Sequence, residues 1–255
     1  MKRLLGLIGY PLSHSFSENY FREKFLLEKI TQWEYRAFPI QSIAQFDTLL
    51  TDYPTLEGLN VTIPYKEQII PFLDDLSDTA REISAVNTIQ IHRKGDKIHK
   101  TGHNTDVYGF AKTLDRCDIH GGIKTLILGT GGASKAVEWV LKKRGCEVVF
   151  ASRKTNKENS ISYAELEKIS LKNFQLIVNT TPLGMYPNTE EKPVIPYHTA
   201  STDHVFIDLI YNPAETAFMK NGKKAGAKVV NGLYMLQQQA ERAWKIWQGD
   251  TSHSL

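Results

Sequence analysis

Residues 125–145 read T-L-I-L-G-T-G-G-A-S-K-A-V-E-W-V-L-K-K-R-G. The short apolar run Thr125–Leu128 predicts a buried strand, and the pattern of Ala133–Arg144 predicts a helix. Between them lies G-T-G-G-A-S, Gly129 to Ser134, which fits G-x-G-x-x-G with Ser134 in place of the third glycine. Glycines permit the tight turn and a close backbone approach. The helix N-terminus then offers unpaired N–H groups and a positive dipole end to a pyrophosphate. A glycine pattern alone is a weak signal; the strand before it and the helix after it are what the phosphate-binding mechanism requires. Gly129, Gly131, Gly132, Ala133 and Ser134 are therefore candidate cofactor contacts.

The next strand, Val148–Ala151, selects the cofactor. In NAD-binding proteins an acidic residue about 20 positions beyond the glycines takes the ribose 2′-hydroxyl. No Asp or Glu stands there; Ser152, Arg153 and Lys154 do, with Lys157 nearby. A guanidinium can pair a 2′-phosphate while stacking on adenine, so the expected cofactor is NADP.

Further outward the same alternation recurs. Strands are expected at Phe174–Val178, Val205–Leu209 and Lys228–Val230, with a helix around Pro213–Ala225. Upstream, strands are expected at Leu4–Ile8, Trp33–Phe38 and Leu56–Ile63, and a hairpin at Thr88–His92 and Lys97–Thr101. Helices are expected from Ser17 (as cap) to about Ile30, from near Ser42, and from Asp106 to Leu114. A last helix runs from about Gly232 to Trp247. Strands alternating with helices imply mostly parallel sheets, and two such series imply two α/β domains.

Bulk composition agrees. The 255 residues are 41% hydrophobic and 23% charged, which is ordinary for a globular chain. A net charge of +3 gives no case for nucleic acid. The two cysteines, Cys117 and Cys146, have neither zinc nor disulfide spacing, which points to no metal and a reducing, cytoplasmic setting. The N-terminal run Leu4–Ile8 is too short for a signal peptide, and no stretch approaches a membrane span.

A nicotinamide cofactor implies hydride transfer, so a group near the substrate oxygen must give or take a proton. The heptad N-V-T-I-P-Y-K, 60–66, puts Asn60 and Thr62 on one face of a strand and delivers Lys66 just beyond Pro64. Asp106, within G-H-N-T-D, is the second candidate, although Asn104-Thr105-Asp106 also has the composition of a plain helix start. A Lys–Asp pair would titrate as one coupled unit.

These residues carry a resemblance. G-Y-P-L-S-H-S-F-S (9–17), N-V-T-I-P-Y-K-E (60–67), A-V-N-T (85–88), N-T-D (104–106), G-T-G-G-A-S (129–134), N-T-T-P-L-G-M (179–185), D-L-I-Y (208–211) and G-L-Y-M-L-Q-Q-Q-A (232–240) stand in family order. The chain resembles shikimate dehydrogenase throughout, apart from its tail. The resemblance implies two α/β domains with a cleft between them. A substrate domain would comprise 1–104 plus 232–255, and a Rossmann-like NADP domain 105–231. It implies NADPH-dependent reduction of 3-dehydroshikimate to shikimate, a step of chorismate and aromatic amino acid biosynthesis. Ser15 and Ser17 would hold the substrate carboxylate with Tyr211 nearby. Asn60, Thr62, Asn87, Asp106 and Gln239 would hold the ring hydroxyls. Lys66 and Asp106 would be the catalytic pair, and Thr180, Gly232 and Met235 would join the cofactor contacts. The partner is a small molecule, with no nucleic acid and no membrane, and the protein is expected as a monomer or homodimer.

Shikimate is small, anionic and rich in hydroxyls, so short donors and acceptors suit it, and a wrong ligand would leave buried polar groups unpaired. Some positions depart from the family. Glu18 follows Ser17 where proline is usual, Thr130 replaces a small alanine, and Lys135 replaces an arginine while keeping the charge. Three alternatives bear comparison. A dual quinate/shikimate dehydrogenase is disfavoured by Ser17 and the basic 152–154 loop. A non-catalytic sensor of shikimate or NADP is disfavoured by the presence of both Lys66 and Asp106. A folate-linked dehydrogenase does not fit the paired serines.

Overall fold

A computed structural model of the chain describes residues 2–12, 16–95, 97–153 and 159–250. The chain divides into two compact units, Met1–Thr105 with Gln239–Leu255, and Asp106–Gln238.

The first unit contains β1 (Arg3–Ile8), α1 (Phe16–Leu27), β2 (Trp33–Phe38), α2 (Phe46–Asp52), β3 (Leu56–Val61), β4 (Asp75–Leu76), α3 (Asp78–Ile83) and the hairpin β5 (Thr88–Lys94) and β6 (Lys97–His103). Its sheet runs β2-β1-β3-β5-β6-β4, with β1, β2 and β3 parallel and β5 antiparallel to both neighbours. β1 is buried from Leu4 to Ile8, as a central strand covered on both faces must be. Leu5 and Leu7 join Phe21, Phe25, Trp33 and Trp244 in one core, while Leu4 and Ile8 join Phe38, Phe46 and Leu59 in another. This is the period-2 alternation of a strand with a core on each side.

The second unit contains α4 (Asp106–Arg116), β7 (Lys124–Leu128), α5 (Gly132–Lys143), β8 (Glu147–Ser152), β9 (Ser160–Ser162), α6 (Tyr163–Leu166), β10 (Leu176–Asn179), β11 (Val205–Asp208), α7 (Ala217–Lys224) and β12 (Lys228–Val230). The helix α8 (Leu233–Trp247) follows, and the division between the units falls within it. The sheet runs β12-β11-β10-β7-β8-β9 and every pairing is parallel. Counted from β7, the order is 3-2-1-4-5-6, the doubly wound arrangement whose connections diverge on either side of its first strand. The glycine turn leaves β7 at that switch point.

Several expected boundaries shift. Ser17 is not the cap of α1: the helix already includes Phe16, and Ser17 is buried within its first turn. The strand expected to reach Ile63 ends at Val61, and Ile63 is 73% exposed because it lies beyond the alternating stretch. The helix expected from Pro213 begins at Ala217, where the Thr216 hydroxyl accepts from the Met219 N–H and supplies a cap.

Candidate active site

The glycine turn expected to bind phosphate lies in the second unit. Gly129 has φ +96, which L side chains rarely adopt, and its N–H donates to the Ala151 carbonyl at 2.8 Å. A Cβ there would also lie 2.8 Å from Thr181 Cγ2. Gly131 is the N-cap of α5 and has no side chain to cap it; a Cβ at Gly131 or Gly132 would meet nothing within 4 Å. The chain at Gly131 and Gly132 therefore borders open space, and the first turn of α5 has no acidic residue to oppose an anion. Ser134 plays a different part from the glycines. It is fully buried, and its hydroxyl donates to the Gly131 carbonyl at 2.6 Å, closing the turn.

β8 ends at buried Ser152, with Arg153 exposed after it. Lys154 and Lys157 lie outside the described residues. Open glycines, an uncapped helix start and an exposed guanidinium at the end of the second strand fit a phosphorylated dinucleotide. Thr180 donates from its hydroxyl to the Leu128 carbonyl at 2.7 Å, which ties the β10 loop to the glycine turn. Gly232 packs so closely on β11 that a Cβ would lie 2.1 Å from the Leu209 carbonyl oxygen; Met235 is buried.

A buried carboxylate underlies these loops. Asp208, fully buried at the end of β11, accepts from Asn179 Nδ2 at 3.1 Å, the Ile210 N–H at 3.0 Å and the Thr216 hydroxyl at 2.6 Å. Asn179 in turn accepts from the Thr181 N–H at 3.0 Å and hydroxyl at 2.7 Å. Burial pushes the Asp208 carboxyl up to about 6, against the three hydrogen bonds that favour its charge. Tyr211, half-buried, follows Ile210, and burial raises its phenol.

The first unit holds the polar cluster. Asn87 Oδ1 accepts from the Thr105 N–H at 2.7 Å, and its Nδ2 donates to Thr105 Oγ1 at 3.0 Å and Gln239 Oε1 at 3.4 Å. Thr105 Oγ1 also donates to Gln239 Oε1 at 3.2 Å. Asn60 Nδ2 donates to the Asn87 carbonyl at 3.3 Å and Thr88 Oγ1 at 3.2 Å, while its Oδ1 accepts from the Tyr35 phenol at 2.8 Å. Asn60, Asn87, Thr88, Thr105 and Gln239 are all buried, so each amide and hydroxyl needs these partners.

Asn60, Asn87 and Gln239 are thus brought into one network, joined by Tyr35, Thr88 and Thr105, which sequence reasoning did not single out; Ser17 is buried in the first turn of α1. Thr88 and Thr105 stand inside the A-V-N-T and N-T-D motifs, and that was their signal. Tyr35 has only its place in the alternation of β2. Thr62 continues from β3, with its N–H on the Ile8 carbonyl at 3.0 Å. Lys66 is half-buried, and its carbonyl accepts from the Val86 N–H at 2.7 Å, between buried Tyr65 and Ile69. Ser15 lies outside the described residues. Asp106 opens α4 and is covalently next to Thr105, whose backbone Asn87 holds.

Comparison with known proteins agrees with this chemistry. Residues 7–89 match the family model described as the shikimate dehydrogenase substrate binding domain. The chain is 38% identical to a shikimate dehydrogenase (NADP(+)) of Carboxydothermus hydrogenoformans, over 97% of this chain and 92% of that one. It is 39% identical, with the same coverage, to one of Methanococcus maripaludis. A solved shikimate dehydrogenase in complex with NADP+ superposes with a TM-score of 0.87 at 32% identity, over 97% of this chain and 90% of that one. With identity of this level sustained over nearly the full length of both chains, the protein belongs to the shikimate dehydrogenase family.

Proposed function

We propose that the protein reduces 3-dehydroshikimate to shikimate with NADPH, and runs the reverse oxidation with NADP+, as a step of aromatic amino acid biosynthesis. The observation that carries this reading is the buried amide–hydroxyl cluster around Asn87, made of short donors and acceptors. Such a cluster suits a polyhydroxylated ring, which can take up the donor and acceptor capacity that its internal bonds leave over. Asn60, Thr62, Asn87, Asp106 and Gln239 take the ring hydroxyls; Ser15 and Ser17, with Tyr211, take the carboxylate. The unit Met1–Thr105 with Gln239–Leu255 serves the substrate, and Asp106–Gln238 serves the cofactor.

NADP is held at Gly129, Gly131, Gly132, Ala133 and the N-terminus of α5, with Ser152, Arg153 and Lys154 toward the 2′-phosphate. Thr180, Gly232 and Met235 border it, and Ser134 shapes the turn. The cofactor, when bound, supplies the hydride. Lys66 and Asp106 supply the proton to the carbonyl oxygen and recover it in reverse. The two buried free thiols, Cys117 and Cys146, support a reducing, cytoplasmic setting.

A spectrophotometric assay crossing shikimate and quinate with NADP+ and NAD+ tests the reading. Shikimate with NADP+ is expected to give the highest kcat/KM; no turnover in any arm, or quinate with NAD+ as the best pair, overturns it. Lys66→Ala is expected to lower kcat by roughly 10²–10⁴-fold with little change in shikimate binding. Near-normal turnover removes Lys66 from the proton pair.

A further inference from the structure

Resting on that reading of the site, we infer that Tyr35 is a positioning residue: its hydroxyl, donated to Asn60 Oδ1, holds the Asn60 amide together with the Asn87 carbonyl on the Nδ2 side, so that Asn60 meets the substrate only as an acceptor. An asparagine amide is nearly symmetric in shape but not in chemistry, with two donors on one side and two acceptor lone pairs on the other. What fixes its orientation is the partners. On the Nδ2 side, Asn60 has the Asn87 carbonyl at 3.3 Å and Thr88 Oγ1 at 3.2 Å; a carbonyl only accepts, which sets the nitrogen on that side, while a threonine hydroxyl can either donate or accept. The short bond is the one from Tyr35, at 2.8 Å. With Nδ2 turned to the Asn87 carbonyl, Oδ1 faces the phenol, and the phenol donates to it. One lone pair of Asn60 Oδ1 then remains, and it selects a hydroxyl over a carbonyl.

Tyr35 itself is held by packing. It is buried, its ring stacks on Phe21 at 4.6 Å between centroids, and Trp247 lies at 6.3 Å. Burial also holds its phenol far above the ordinary tyrosine range, so it stays a donor.

Tyr35→Phe keeps the ring packing and removes only the hydroxyl. The expected result is a rise of roughly tenfold in KM for shikimate, with kcat and the KM for NADP+ changed less than about threefold. In an Asn60→Ala background, Tyr35→Phe is expected to add nothing to KM, because its effect passes through Asn60. A purely structural role would lower the melting temperature and leave the KM values alone, or move both together; either result overturns the inference. If Asn60→Ala raises the shikimate KM and Tyr35→Phe does not, Tyr35 alone is wrong. If Asn60→Ala leaves that KM unchanged, the site reading fails and takes the inference with it. Should Tyr35→Phe fold poorly, NMR of the ¹⁵N-labelled wild type decides. One set of Asn60 side-chain amide resonances supports the fixed orientation, and two exchanging sets overturn it.

Discussion

Asp208→Asn tests the buried carboxylate beneath the cofactor loops, and its signature is a slope with pH. In the folded protein the Asp208 carboxyl is raised from 3.8 to about 6, with burial the main cause. A carboxyl whose folded pKa lies above its unfolded one binds its proton more readily in the folded state. Stability from this group therefore grows as pH falls from about 6 to about 4 and is absent at pH 7. A shift of about two pKa units corresponds to ~3 kcal/mol at full effect. Asparagine does not titrate, so the stability of the wild type minus that of Asp208→Asn should rise by about that amount between pH 7 and pH 4. The difference at any single pH also contains the misfit of an amide facing three donors, and only the slope isolates the charge. Carboxylates lowered by partners, such as Asp115 beside Arg144, slope the opposite way but are common to both proteins and cancel. Urea melts of both proteins at pH 7, 6, 5 and 4 supply the measurement. A flat difference, or one that shrinks on acidification, would refute a buried ionised carboxylate at the end of β11.

Gly58→Ala should lower stability by ~1–3 kcal/mol, because the new Cβ would lie 2.2 Å from Trp247 Nε1, which donates to the Ile89 carbonyl at 2.9 Å. An unchanged thermal melting temperature would mean that the indole does not pack on β3. Arg153→Asp should reduce the preference for NADPH over NADH by roughly 10–100-fold, since it replaces a phosphate-pairing cation with a repelling charge. An unaltered ratio of kcat/KM values would remove Arg153 from cofactor selection.

The second unit was the more legible half because its longer β–α steps announce themselves locally, although the three-residue β9 and the four-residue α6 are too short to do so. A short buried strand, a glycine turn and an amphipathic helix lie within residues 124–143, and the parallel order follows from repeating that step. In the first unit the two-residue β4 and the six-residue α3 escaped notice. Neither is long enough to show a period, although Ser77, whose hydroxyl accepts from the Ala80 N–H, carried a cap signal. Ser17 was misplaced by a related ambiguity. Serine is the expected residue at a helix start, and sequence gives no means of telling a cap from a buried first-turn hydroxyl.

The polar cluster was legible in kind but not in wiring. Residues 60, 87, 88, 105 and 239 come from β3, the loop before β5, β5 itself, the residue before α4, and α8, and no spacing rule connects them. Family resemblance supplied three of the five; folding alone brings in Thr88 and Thr105, and Tyr35 beside them. Burial makes the distinction matter. A buried amide must satisfy its donors and acceptors inside the protein first, so what it can offer a ligand is the remainder. For Asn60 that remainder depends on a phenol 25 residues away in sequence. The alternation in N-V-T-I-P-Y-K turns Asn60 toward the right face, but the Asn87 carbonyl and the donor from β2 together decide whether that face presents an N–H or an oxygen. Specificity for a hydroxylated ring is therefore a property of the network, and a substitution that spares every ligand contact can still alter it.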